Sequence, residues 1–179
     1  MQSSQTALLW KLQWTRILAV VALCAGSASA NVVTEDFLAA VSHIESSGGS
    51  RTIGDGGKAH GAWQMHFAAW SDTSAYRKRN GLPTWNFGYA HDPVVAKMYA
   101  RDYSRILENQ LRETLGRTPS PEMIYAAYNL GFTRFQNLGF AVEKTPRTTR
   151  SACAKLPALM AQMEARRTGT KMLAQAPAP

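Results

Sequence analysis

Glu45 is the residue in this chain best placed to do acid–base chemistry. It follows Phe37, Val41 and Ile44, apolar residues spaced by four and three, the spacing of one helical face. At about 100° per residue, Glu45 falls on the flank of that stripe rather than opposite it. Ser46-Ser47-Gly48-Gly49 follows at once, so the helix is expected to stop within a turn of the carboxylate. A half-buried carboxyl at a helix end, facing a loop, suits a general acid, because burial disfavours its charged form and raises its pKa. A capping or solvent-exposed glutamate would occupy the same place, and position alone favours that plainer reading. The other reactive side chains offer less. His43, His60, His66 and His91 have no spacing that puts a ligand pair on one helix face, and no cysteine joins them, so neither metal nor cofactor is expected. Cys153 has no histidine near it in sequence and is read as structural. Lys58 and the glycines before it only superficially resemble a phosphate loop, since no strand precedes them and no Ser or Thr follows the lysine.

The elements that must position Glu45 are mostly helical. Thr34 can cap a helix from about Glu35 to Ser46, with Glu35 and Asp36 in its first turn. Between Gly48 and Gly61 the sequence is glycine-rich, a long loop or a small hairpin in which Asp55-Gly56 is a turn dipeptide. Trp63 to Trp70 reads as helix, with Trp63, Phe67 and Trp70 on one face. Residues 71–91 read as turns interleaved with aromatics. Asp92-Pro93 starts a long helix whose buried side is marked by Val94, Met98, Ile106 and Leu111, and Gly116 ends it. Ser120-Pro121 opens another, apolar nearly all round through Leu130, and such a helix belongs in the middle of a fold. A short piece follows near Phe132 to Leu138, then a segment from about Thr148 to Arg167 that Pro157 is expected to interrupt. Strand signals are weak, there is no internal repeat, and the class is mainly α.

Composition sets the compartment and the partner. Lys11 and Arg16, the apolar stretch Ile17 to Leu23 and the Ala28-Ser29-Ala30 pattern make residues 1–30 a cleavable secretory signal, too short to span a bilayer. Leu23 stands where a lipid-attachment site at Cys24 would want a small residue. Residues 31–167 are expected to form one domain and 168–179 a disordered tail. The formal charge of +8 becomes +6 without Lys11 and Arg16. An exported basic domain suits an anionic cell-wall polymer or membrane surface, and the scattered Lys and Arg argue against nucleic acid.

Three segments resemble the motifs of the soluble lytic transglycosylase domain, which has the lysozyme-like fold. They are Ile44-Glu45-Ser46-Ser47-Gly48, Gly61-Ala62-Trp63-Gln64-Met65 and Ala126-Ala127-Tyr128-Asn129-Leu130-Gly131, in the family's order. The family's usual forms are Glu-Ser, Gly-Leu-Met-Gln and Ala-Ala-Tyr-Asn-Ala-Gly. His91-Asp92-Pro93 is similar to the start of its long middle helix. Ala62-Trp63 and Leu130 depart from those forms, as does the length of the glycine-rich insert. The resemblance implies that Glu45 is the acid/base that protonates the bond between N-acetylmuramic acid and N-acetylglucosamine. It implies that Ser46 holds glutamate or substrate, that Gln64 lies in the cleft, and that the Tyr128 hydroxyl and Asn129 amide lie near glutamate and sugar. Without the resemblance, Tyr128 and Asn129 could be core groups and Gln64 an ordinary helix residue.

A lytic transglycosylase needs only one acid, because the muramic acid C6 hydroxyl closes a 1,6-anhydro ring where a hydrolase would use water. Other glycosidases place two carboxylates across the bond. Asp55 is the best second carboxylate, although a turn role is the plainer reading. Three functions therefore stand open: a transglycosylase, a muramidase, and a non-catalytic peptidoglycan-binding assembly factor. Expected partners are peptidoglycan strands and an envelope-spanning secretion or conjugation complex for which the enzyme opens the wall. The expected location is the periplasm or outside the cell.

Overall fold

A computed structural model describes residues 31–174, with side-chain surroundings up to residue 169. The expected signal segment 1–30 and residues 175–179 lie outside the described residues. The described chain is mainly helical. It runs α1 (Glu35–Ser46), β1 (Ile53–Gly54), β2 (Ala59–His60), β3 (Met65–His66), α2 (Phe67–Arg79), α3 (Pro93–Leu115), α4 (Pro121–Leu130), α5 (Phe132–Asn137) and α6 (Arg147–Ala174). No helix among the described residues is long and apolar enough to cross a membrane.

The helix boundaries follow local chemistry. Thr34 Oγ1 accepts from the Phe37 amide at 3.1 Å, and Ser47 closes α1 in the left-handed region. Asp92 Oδ1 accepts from Val94 and Val95, both at 2.9 Å, with Pro93 at the first helical position. Ser120 caps α4, again with proline next. In α4, Met123 to Ala127 are all buried, and the helix packs on α3, α5 and α6. Leu38 and Val41 of α1, Leu107 and Leu111 of α3, and Leu156 of α6 complete the centre, fully or almost fully buried. Each such side chain contributes about 1.5–3 kcal/mol through burial.

The glycine-rich stretch is the hairpin alternative, extended by one strand. β2 pairs antiparallel with β1 (Ile53 opposite His60) and with β3 (His60 opposite Met65). Gly61 turns the chain with φ of 73°, and a Cβ there would stand 1.8 Å from the Ala90 carbonyl oxygen. That close approach docks the sheet on the short turn Phe87–His91.

Several expected elements are corrected. The helix expected over Trp63 to Trp70 begins only at Phe67: Gln64 has φ of 45°, which no α-helix accommodates, and Met65–His66 pairs as a strand. Trp63 and Trp70 are buried but Phe67 is exposed, so the three do not share one buried face. Conversely, α2 runs on to Arg79, through residues expected to be turns. Its buried face is Trp70, Thr73 and Arg77, and a polar face of that kind is invisible to hydrophobic periodicity. On α3 the buried stripe is Val95, Tyr99, Leu107 and Leu111, one residue round from Val94, which is 68% exposed. Pro157 does not interrupt α6; it is exposed, and the helix continues past Arg167 to Ala174, so the expected disordered tail begins as helix.

Candidate active site

Glu45 sits in the last turn of α1, half buried, where the helix meets the sheet and α4. The Tyr125 hydroxyl donates to Glu45 Oε1 at 3.0 Å. Asn129, one turn further along α4, lies near enough to favour the ionised form of the carboxylate. Thr149, buried on α6, donates to Asn129 Oδ1 at 2.7 Å and so fixes the amide. No Lys, Arg or His among the described residues forms an ion pair with Glu45. Burial therefore raises its pKa above the ordinary carboxylate range, against the weaker opposing pull of Tyr125 and Asn129. Tyr125 stays a donor, because burial and then the charge of Glu45 push its phenol far up.

The residues implied by the three motifs fall into two groups. Asn129, which the resemblance places near the sugar, lines the cleft together with Glu45. The Tyr128 hydroxyl is close enough to feel the Glu45 charge, but it donates to the Trp63 carbonyl at 2.8 Å. Tyr125 is the tyrosine that bonds the acid, and the sequence reading missed it. The available signal was its spacing, four residues before Asn129 on the same helical face. The Ser46 hydroxyl bonds backbone groups rather than Glu45. The residue is buried, its hydroxyl lies 2.7 Å from the Ala62 carbonyl and 3.0 Å from that of Ser42, and it accepts from the Gly49 amide at 2.7 Å. It fastens the end of α1 to the loop before Trp63. Trp63 in turn donates from Nε1 to the Leu38 carbonyl at 2.9 Å, so its indole is a core group.

Gln64 lines the cleft beside Glu45, its amide donating to the carbonyls of Gly61 (2.8 Å) and Arg51 (3.2 Å). Asp55 lines the same cleft, from a turn residue with φ of 47°, and lies 3.4 Å from His66 Nε2. Its side chain is 64% exposed at a turn on the cleft's rim. The remaining histidines separate: His60 hydrogen-bonds His91 at 3.0 Å and the Gly57 carbonyl at 2.9 Å, and His43 lies apart on α1. Among the described residues no three His, Cys, Asp or Glu are grouped to hold a metal. Cys153 is buried, and burial pushes its thiol up to about 11, which leaves it unreactive.

The cleft has a volume of about 630 Å³ and continues past Tyr103 and Arg134 into a second hollow of about 790 Å³ that reaches Asp72 and Arg79. The result is a long groove that holds one acid of raised pKa, able to give a proton to a ligand oxygen and to take one back. Comparison with known proteins by family model, by sequence and by solved structure returned no match.

Proposed function

We propose that this chain is a peptidoglycan lytic transglycosylase of lysozyme-like fold, with Glu45 as its acid/base. The observation that carries the reading is the setting of Glu45: half buried, without a cation, its pKa raised, and hydrogen-bonded by Tyr125 beside a long cleft that Asn129 also lines. In the neutral form Glu45 protonates the glycosidic oxygen, and the bond from that oxygen to C1 of the muramic acid breaks. The Glu45 carboxylate then takes the proton of the C6 hydroxyl while that oxygen closes on C1, giving the 1,6-anhydro product. Proton and electrons balance without water or a second acid. Export through residues 1–30 would bring the enzyme to its polymer, where an envelope-spanning complex is its proposed partner.

Asp55 supports the second reading, a muramidase, because it lines the same cleft and could activate a water. Mass spectrometry of sugars released from purified peptidoglycan separates the two. Anhydro-ended products, lighter by one water than reducing-ended ones and lost in Glu45→Gln, are expected; reducing ends would move the chemistry to Asp55, and retained binding without products would leave an assembly factor.

A further inference from the structure

His60 and His91 stand 31 residues apart in sequence, yet His60 Nδ1 lies 3.0 Å from His91 Nε2. Neither lines the Glu45 cleft. The other nitrogen of His60, Nε2, lies 2.9 Å from the Gly57 carbonyl oxygen, which can only accept, so Nε2 carries the proton. His60 Nδ1 therefore turns a lone pair toward His91. This is how a metal-ligating imidazole is held: one nitrogen is anchored on a carbonyl and the other is presented to the ion. Two nitrogens each about 2.0–2.1 Å from one zinc ion, at an angle of about 90–110°, stand about 2.9–3.4 Å apart. The observed 3.0 Å falls within that span.

The backbones beneath the pair are fixed without it. His60 is on the middle strand, with Ile53 opposite on one side and Met65 on the other. Its ring lies 4.7 Å from that of Phe87, against which Phe67 and Trp70 pack edge-on at 5.6 Å and 5.9 Å. His91 ends the turn Phe87–His91, whose buried Ala90 meets Gly61, and the next residue, Asp92, caps α3. His91 is exposed and His60 half-buried, so an ion can reach both.

We propose that His60 Nδ1 and His91 Nε2 form a binding site for a divalent transition-metal ion of the zinc type, with water completing its coordination. No proton is lost overall, because the His91 proton moves from Nε2 to Nδ1 as the ion takes its place. Imidazole ligands select zinc, nickel or copper over magnesium and calcium. The ion joins the sheet to the turn that opens α3. Ala59, beside His60 on β2, lines the cleft, so the ion stiffens one wall of the Glu45 groove. The site goes beyond the glycan-cleaving reading and does not depend on it.

The test titrates zinc chloride into the untagged protein by calorimetry, with thermal unfolding beside it. One zinc per chain is expected, and zinc about 100-fold above its Kd should raise Tm by roughly 10 °C. His60→Gln and His91→Gln should each remove the shift and weaken binding by roughly tenfold or more. His43→Gln, on α1, should leave both unchanged. X-ray absorption at the zinc edge of the unmutated protein, which no folding defect of a variant can confound, should find two imidazole nitrogens at about 2.0–2.1 Å. Absence of zinc binding, binding that survives both substitutions, an equal response to magnesium chloride, or a zinc shell with fewer than two imidazoles would each overturn the proposal.

Discussion

Two carboxylates in this fold receive opposite treatment. Asp102 on α3 is 13% exposed and forms an ion pair with Arg77 of α2, itself 7% exposed. The guanidinium also donates from Nε to the Pro83 carbonyl at 2.7 Å and lies over Trp85 and Tyr99, 5.4 Å and 5.3 Å from their centroids. Tyr99 stacks on Trp70 at 3.7 Å and accepts from the Trp85 amide at 2.9 Å. The charge there is compensated on every side, and the pair ties the loop after α2 to α3. Glu45 is also drawn from water but is given only neutral neighbours, Tyr125 and Asn129. A compensated acid holds the structure. An uncompensated one keeps its proton available, and the fold carries the penalty of any charge it takes on.

Exchanging the acids' roles should fail in different measurements. Glu45→Gln should cut product formation by roughly 10²- to 10⁴-fold, the range of a general acid, with the far-UV circular dichroism unchanged. Arg77→Met should instead destabilise by about 3–5 kcal/mol, read as a lowered midpoint in urea, because Asp102 is left buried and unpaired. Arg77→Met with Asp102→Leu should recover much of that loss, which would mark the pair as structural. Tyr125→Phe should slow turnover roughly tenfold, the scale of one hydrogen bond to a charged group, and move the alkaline limb of the pH–rate profile upward. The direction follows because the Tyr125 bond favours the ionised form, so losing it raises the Glu45 pKa further.

The smallest effect is on stability. A raised native pKa means that the folded chain holds the Glu45 proton more tightly than the unfolded one. The stability associated with that proton is fully present below the unfolded value of 4.5 and is lost as pH rises through the native pKa. Glu45→Gln, which cannot ionise, should therefore gain stability relative to the parent between acid and neutral pH. Parallel urea curves at the two pH values would check it, and a constant difference would contradict the uncompensated state of Glu45.

The caps at Thr34, Asp92 and Ser120, the stops at Gly116 and Gly131, the central α4 and the position of Glu45 at a helix end were legible from local chemistry, because each depends on a few adjacent residues. The course of α2 was not, since Arg77 is buried through a partner that only the fold supplies, Asp102 on α3. Likewise a pattern of motifs can name Glu45, Gln64 and Asn129 as neighbours, but it cannot orient a hydroxyl. Tyr125 and Tyr128 are three residues apart, and the packing of α4 against α1 and the loop at Trp63 turns one toward the acid and the other toward a carbonyl. By itself the sequence determined which side chains can ionise and where the helices begin and end, since those are properties of short stretches. Which acid is compensated by a cation and which has its pKa raised by burial was decided only by tertiary structure, because a pKa depends on surroundings that the chain brings from 80 residues away.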